Sequence, residues 1–372
     1  MTLTSSDAFR VLIVDDSPSA RIMMRRIVET DPALAVMGLA ADAFAAARMM
    51  VDELPDVILL DLEMPRMDGI TFLRKIMAQH PIPVVICSSL TEQGSRRSVE
   101  AMEAGALGVI RKPSVADPEA LREATAQICD SLRAAAMSQR ASGHMLPSLD
   151  ALATVPKLTA DAILPPPNPN RTFPRTDPVV CIGASTGGTE ALTRVLCALP
   201  SDAPGTLVVQ HMPNGFTRAF ANRLNGLANI EVVEAEDGMV VQQGRCIIAA
   251  GDSHLMLRRT PAGYRTQVSE GPLVSRHRPS VDVLFRSAAI HAGPNALGVI
   301  LTGMGADGAA CLGEMLATGA HTIAQNEETC VVFGMPREAI ALGHAKQTLP
   351  LDKIAGAITG FARLHATSGA SR

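Results

Sequence analysis

Ser185 lies between glycines in Gly183-Ala-Ser185-Thr-Gly187, at the end of the apolar run Val179–Ile182. This spacing fits G-x-S-x-G, a strand-to-helix elbow that exposes a nucleophilic serine at the N-terminus of a helix. Glycine permits the sharp turn, and the free N–H groups of the helix start can face a developing oxyanion. A glycine-rich turn of this type also cradles nucleotide phosphates, with the hydroxyls as caps. The next apolar run, Pro204–Met212, separates the two readings, because it ends in His211. A dinucleotide site calls for an acidic residue there to hold the ribose, whereas a histidine serves as general base to a serine on the neighbouring strand. A third run, from Ala296 to Thr302, leads into Gly303-Met-Gly-Ala-Asp307-Gly308, whose Asp307 suits the orienting carboxylate. In the same loop Met304 offers a backbone N–H to the oxyanion. The chain order Ser, His, Asp differs from the Ser, Asp, His of α/β-hydrolases and predicts a different fold.

A second set of reactive types lies nearer the N-terminus. Arg10-Val-Leu-Ile-Val-Asp15-Asp16 ends in two carboxylates and Asp56-Val-Ile-Leu-Leu-Asp61 in a third. Pro83-Val-Val-Ile-Cys-Ser88-Ser89 ends in hydroxyls and Ala106–Lys112 in a lysine. Clustered carboxylates repel one another and suit a hard cation such as Mg²⁺. An aspartate among them can accept a phosphoryl group, a lysine can pair with its charge, and a hydroxyl can turn to bond it.

Both sets sit at the ends of continuous apolar strands that alternate with helical patterns. In the first half the helices are Ser19–Thr30, Ala41–Asp52, Gly69–Gln79, Ser95–Ala104 and Pro118–Met137. That alternation predicts a parallel, doubly wound sheet with its ligands beyond the carboxyl ends of the strands. From about Ser138 to Pro178 the pattern breaks over Pro165-Pro-Pro-Asn-Pro169, Pro174 and Pro178. This stretch reads as an extended tether, with a short helix near Leu149–Leu158. Beyond it, Phe216–Leu227, Val281–His291, Gly308–Ala317, Pro336–Leu342 and Asp352–His365 read as helices, with Ser280 as a cap. Glu231–Glu236 and Arg245–Ala250 read as strands. His254–Arg259 and Tyr264–Glu270 form an antiparallel hairpin around Thr260-Pro-Ala-Gly263. Arg276-His-Arg-Pro-Ser280 is a basic turn, which by itself reads as a solvated loop and alternatively as a contact to substrate. The expected fold is thus two doubly wound α/β/α domains, an N-terminal flavodoxin-like parallel sheet and a C-terminal mostly parallel sheet with an antiparallel hairpin. The boundaries are 8–137, a linker over 138–176, 177–366, and a frayed tail over 367–372.

Bulk properties agree with a folded protein of about two domains. The chain has 372 residues, 47% hydrophobic and 19% charged. Its net charge of −4, without a basic run, argues against nucleic acid as the main partner. Seven scattered cysteines without C-x-x-C spacing fit a reducing compartment. No leader pattern opens the sequence and no apolar run reaches membrane-spanning length, so a cytoplasmic protein without direct membrane insertion is expected.

Residues 10–130 resemble the receiver domain of two-component response regulators. The resemblance rests on Val14-Asp15-Asp16-Ser, Leu60-Asp61-Leu-Glu-Met-Pro65 with Met67-Asp68-Gly69, Ser88-Ser89 and Arg111-Lys112-Pro113. It implies Asp61 as phosphoacceptor, Asp15, Asp16, Asp61 and the Glu63 carbonyl as Mg²⁺ ligands, Ser88 as the switch hydroxyl and Lys112 as the phosphoryl-pairing cation. The second half resembles the catalytic domain of chemotaxis protein-glutamate methylesterases through Ile182–Gly188, Gln210-His211-Met212-Pro, His277-Arg-Pro-Ser-Val-Asp282 and Gly303–Gly308. It implies a Ser185–His211–Asp307 triad without a cofactor, Met304 as oxyanion donor and Thr186 as support for the histidine. It further implies methyl-accepting chemotaxis receptors as substrate and a chemotaxis histidine kinase as phosphodonor. Methyl-ester hydrolysis with methanol release, glutamine deamidation and activation by phosphorylation are implied by the same resemblance. The rival reading, a non-enzymatic regulator whose second half binds a nucleotide or a protein, predicts no reaction with a serine-directed phosphonate or sulfonyl fluoride.

Overall fold

The computed structural model describes residues 8–64, 66–89, 92–113, 118–140 and 157–367. Pro65, most of the expected helix near Leu149–Leu158, residues 141–156 of the expected tether and the tail from 368 lie outside them. The chain divides into two compact units, Met1–Leu152 and Ala153–Arg372.

The first unit is a five-stranded parallel sheet in the order β2-β1-β3-β4-β5. Its strands are β1 (Phe9–Val14), β2 (Leu34–Ala40), β3 (Val57–Leu60), β4 (Val84–Ser88) and β5 (Gly108–Arg111). The intervening helices are α1 (Pro18–Val28), α2 (Ala43–Asp52), α3 (Gly69–Gln79) and α4 (Glu92–Glu103), and α5 (Pro118–Arg140) comes after β5. Because helices cover both faces, alternate residues of β1 enter different cores. Leu12 and Val14 join Leu60 and Phe72, whereas Val11 and Ile13 join Met24 and Ile128. Pro18 starts α1 behind the Ser17 cap, where its missing N–H costs nothing.

Strand β2 is not among the strands expected from sequence. Leu34-Ala-Val-Met-Gly-Leu-Ala40 is a half-buried edge strand with only its two ends fully buried, and its two alanines and central glycine are weak strand formers although the run is apolar throughout.

The second unit holds a seven-stranded parallel sheet in the order β15-β14-β13-β6-β7-β10-β8. The central strands are β6 (Val179–Ala184), β7 (Gly205–Gln210) and β13 (Ala296–Ile300). On one side lie β8 (Glu231–Glu234) and β10 (Arg245–Ile248), and on the other β14 (His321–Gln325) and β15 (Gln347–Leu349). The hairpin of β11 (His254–Thr260) and β12 (Gly263–Ser269) pairs with β9 (Val240–Val241) as a separate antiparallel sheet. The helices are α6 (Gly188–Cys197), α7 (Phe216–Leu227), α8 (Val281–His291), α9 (Ala309–Ala317), α10 (Met335–Ala341) and α11 (Leu351–Thr367). Strands β14 and β15, short and poor in apolar residues, are further additions to the sequence reading.

The proline-rich stretch differs from the tether expected. Residues 138–140 complete α5. From Lys157 onward the chain packs on the second unit. Ala160 is 2% exposed, and Ile163 fits where Gly271 has no side chain. Asp161 and the Leu164 carbonyl bond the Arg286 guanidinium, and Thr176 bonds the Tyr264 hydroxyl at 2.6 Å. Proline excludes helix and sheet ladders, but it leaves side chains and carbonyls free to bind a surface. No described helix is long and apolar enough to cross a membrane.

Candidate functional site

Strands β13, β6 and β7 are neighbours, and the chain leaves β6 toward β7 on one side while β13 lies on the other. This is the topological switch point at which doubly wound sheets open a crevice. Ser185 comes directly after β6, His211 directly after β7, and Asp307 closes the loop after β13, so sheet topology alone brings the three together.

The elbow is built from backbone. Ser185 N–H donates to the Thr302 carbonyl at 3.0 Å, and Gly188 N–H to the Ser185 carbonyl at 2.7 Å. Gly187 caps α6 with φ of 76°, and a Cβ there would lie 2.5 Å from Val331. A Cβ on Gly303 would lie 2.6 Å from the Ser185 Cβ, so glycine lets the two loops close on each other. The Gln210 amide donates to the carbonyls of both Ser185 (2.9 Å) and His211 (3.2 Å) and so ties the two strand ends.

His211 directs Nε2 at Asp307 Oδ2, 2.8 Å away. With Nε2 carrying the proton, Nδ1 is the acceptor; it is buried and has no partner among the described residues. Burial lowers the imidazole to about 3, which leaves the ring neutral near pH 7, with Nδ1 free of a proton. Ser185 Oγ makes no hydrogen bond among the described residues, to His211 or to any other group. The serine and the imidazole are neighbours at consecutive strand ends, with His211 N–H donating to the Ala184 carbonyl at 3.1 Å.

Asp307 is held by the start of α8. Val281 N–H donates to Oδ2 at 2.9 Å, Asp282 N–H to Oδ1 at 3.0 Å, and Ser280 Oγ to Oδ1 at 2.8 Å. Ser280 stands at the expected cap position, yet its hydroxyl caps nothing; the Asp307 carboxylate does so from another loop. A helix N-terminus favours a negative charge, and three of the donors to Asp307 stand at the start of α8.

Two neighbours of this group were not assigned to it from sequence. The His277 ring stacks on His211 with centroids 3.6 Å apart and planes 13° from parallel. Burial, then the adjacent His211, lowers His277 to about 3 as well. Burial and the neighbouring Asp307 raise the Asp282 carboxyl to about 7. The motif Arg276-His-Arg-Pro-Ser280 pointed to the turn, but only the fold shows that His277 contacts a histidine rather than solvent. No hydrogen bond joins Thr186 to His211; the Thr186 carbonyl accepts from Thr302 Oγ1 at 3.0 Å. The Met304 N–H is not engaged by any described backbone carbonyl.

In the first unit, Asp15, Asp16 and Asp61 bring carboxylate oxygens within 4.8 Å of one another. Lys112 Nζ lies 2.8 Å from Oδ2 of both Asp15 and Asp61. Burial works against that ammonium, but its bonds to Asp15 and Asp61 raise it above its usual range. Burial raises Asp61, and Lys112 opposes this. The three carboxylates form an all-oxygen donor set with the charge a hard divalent cation needs, and Asp16 is exposed to admit one. Glu63 N–H donates to Asp61 Oδ1 at 3.2 Å, which brings the Glu63 backbone beside the cluster. Ser88 is buried at the end of β4, and its hydroxyl donates to the Ser89 carbonyl at 3.4 Å rather than to Asp61.

Comparison with known proteins agrees with this division. The family model for the response regulator receiver domain matches residues 11–126, and that for CheB methylesterase matches residues 180–358. A protein-glutamate methylesterase/protein-glutamine glutaminase of the group 3 operon of Cereibacter sphaeroides is 60% identical over 364 residues, covering 98% of each chain. A second such protein, from Rhodopseudomonas palustris, is 59% identical over 93% of this chain and 94% of its own. The crystal structure of the Thermotoga maritima CheB methylesterase catalytic domain is 38% identical, with a TM-score of 0.48, and covers 51% of this chain and 99% of that one. A receiver domain followed by a methylesterase domain, matched end to end by such relatives, shows that the chain belongs to the protein-glutamate methylesterase/protein-glutamine glutaminase family.

Proposed function

We propose that this chain hydrolyses methyl esters of glutamate side chains on methyl-accepting chemotaxis receptors. The observation that carries the reading is the 2.8 Å contact between His211 and Asp307 beside Ser185 at the switch point of the sheet. Ser185 Oγ attacks the ester carbonyl as His211 Nδ1 takes its proton. Asp307 stabilises the imidazolium through Nε2, and the Met304 N–H faces the oxyanion. The proton passes from His211 to the departing methoxide, releasing methanol. Water, deprotonated by the same imidazole, then cleaves the acyl-enzyme to free the glutamate and restore Ser185. A glutamine side chain has nearly the same shape, and attack on its amide releases ammonia, so deamidation accompanies the esterase.

The first unit controls this activity in the same proposal. A chemotaxis histidine kinase supplies a phosphoryl group to Asp61. Asp15, Asp16, Asp61 and the Glu63 carbonyl would hold Mg²⁺, which when bound neutralises charge on the incoming phosphoryl oxygens. Lys112 pairs with the phosphoryl group, and Ser88 turns its hydroxyl from the Ser89 carbonyl toward it. Phosphorylation then raises the esterase rate. The test is methanol release from methylated receptor, with and without a small phosphodonor. The reading requires that Ser185→Ala release none and that the phosphodonor accelerate the wild type. Equal rates for Ser185→Ala and wild type would refute it.

A further inference from the structure

We propose that Asp282 is a positioning residue for the hydrolysis, linking the Asp307 carboxylate to the turn that lays His277 on His211. The proposal rests on the Ser185–His211–Asp307 reading and adds to it a residue outside those three.

The contacts form a closed circuit. Asp282 Oδ2 accepts from Ser275 Oγ at 2.9 Å and Oδ1 from the Cys311 N–H at 3.1 Å. Its carboxyl is also within hydrogen-bond reach of Asp307. Ser275 opens the turn Val274–His277, which is closed by Val274 N–H to the His277 carbonyl (3.1 Å) and His277 N–H to the Val274 carbonyl (2.8 Å). Its central residues, Ser275 and Arg276, have φ of 51° and 68°. Both are strained for side-chain-bearing residues, so the turn needs outside support. Ser275 receives it twice: its hydroxyl is held by Asp282, and its N–H donates to the Leu158 carbonyl at 2.9 Å. The turn ends in His277, which stacks on His211, which bonds Asp307, which touches Asp282.

Two adjacent buried carboxyls do not both carry charge. Asp307 receives four donors, from His211, Ser280, Val281 and the Asp282 backbone. The Asp282 side chain receives two. The charge therefore rests on Asp307 and the proton on Asp282, whose O–H is one more donor to Asp307. The other titratable groups that act on Asp282 are His211 from the end of β7 and Cys311 from α9, while Lys157 and Arg276 act on His277 in the turn. Arg286, one helical turn along α8, is engaged by Glu314 and Asp161. The donors that hold the Asp282 carboxyl are a hydroxyl and a backbone N–H. Its ionisation would take the O–H donor from Asp307 and set two negative charges side by side, shifting the Asp282 carboxylate and, with it, the Ser275 turn that carries the His277–His211 stack.

The test compares Asp282→Asn and Asp282→Ala with the full-length wild type, following methanol release from methylated receptor against pH and Ser185 labelling by a sulfonyl fluoride. An asparagine amide donates to Asp307 at every pH. Wild type should decline as pH rises through about 7, and Asp282→Asn should stay within about threefold of wild type near pH 6 and lose that decline. Asp282→Ala should lower kcat about 10- to 100-fold, leave KM within about twofold, and slow labelling in parallel. An Asp282→Asn profile with the wild-type midpoint, or an Asp282→Ala kcat equal to wild type, would overturn the proposal. If Asp282→Ala does not fold, the Asp282→Asn profile decides alone. Ser185→Ala separates the two readings. Residual turnover there refutes the triad, whereas an inactive Ser185→Ala beside Asp282 variants that behave as wild type refutes only the role of Asp282.

Discussion

The two units place their reactive groups in the same way and balance charge in opposite ways. Each site lies beyond the carboxyl ends of a parallel sheet, where the order in which the chain adds strands reverses. In the first unit three carboxylates meet, and the compensation is a full cation, Lys112, at 2.8 Å from two of them. Asp16 remains exposed, so a hydrated metal ion and a phosphoryl group can enter. In the second unit one carboxylate, Asp307, is 2% exposed, and its partners are backbone N–H groups, a hydroxyl and a neutral imidazole. Full charges suit phosphoryl transfer to an aspartate. A dry site with fixed dipoles suits a proton shuttled between serine, imidazole and leaving group, because those dipoles need not reorganise during the reaction.

That contrast breaks most sharply at its reacting atoms. Ser185→Ala should lower kcat about 10⁴-fold or more, because triad members act as a unit. The same variant should melt as wild type does, since removing one oxygen from an elbow opens no core cavity. A rate assay paired with a thermal melt checks both.

In the first unit Asp61→Asn should take up no phosphoryl label from a small phosphodonor, and Asp16→Asn should bind Mg²⁺ about tenfold more weakly while still labelling at saturating metal. Labelling of Asp61→Asn at the wild-type rate would move the acceptor elsewhere in the cluster.

Gln210→Glu sharpens the comparison by placing a full charge in the dipolar site. The amide donor that holds the Ser185 and His211 carbonyls becomes an acceptor facing them. A loss of about 3 kcal/mol of stability and about 100-fold in kcat is expected, measured by denaturant unfolding and turnover. The fragment 177–372 should melt about 5 °C or more below 157–372. Removing Asp161 and Leu164 takes both bonds from Arg286 Nη1, and removing Thr176 takes a partner from Tyr264.

Per pH unit, the smallest effect is on stability against pH. His211 and His277 have folded values near 3, below the unfolded value of 6.5, so the unfolded chain binds up to two more protons between those limits. Asp282 has a folded value of about 7, above the unfolded value of 3.8, so across that range the folded chain binds one more. Between about pH 4 and 6.5 the three leave a difference of one proton, and stability should rise with pH by about 1.4 kcal/mol per unit from these groups. Asp282→Asn removes the opposing proton and should steepen that slope by the same amount. Denaturant unfolding at several pH values measures the difference.

The strand ends were legible in the sequence because they obey a local rule. A continuous run such as Val179-Val-Cys-Ile182 is a strand buried on both faces, and the residues just past its end stand at the sheet's open edge. The helices Gly69–Gln79, Phe216–Leu227 and Val281–His291 were equally legible from their apolar spacing and have the expected bounds. Other strands were not. Leu34–Ala40 and Gln347–Leu349 at sheet edges, and His321–Gln325 between β13 and β15, take their structure from pairing with a neighbour, which composition does not record. The proline-rich stretch shows the same limit, because its low helical and strand propensity says nothing of whether Asp161 will find Arg286 across the fold.

Within the candidate site the sequence determined which residues could react and on which strands they stand. Tertiary structure decided what surrounds them. That Asp307 caps a helix starting at Val281, that His277 lies flat on His211 and that Asp282 backs Asp307 all depend on the loop after β13 meeting the start of α8. Those contacts join residues far apart in the chain. Side-chain type and spacing encode a strand or a helix locally, whereas the dielectric and donors around a buried carboxyl exist only once distant segments have packed together.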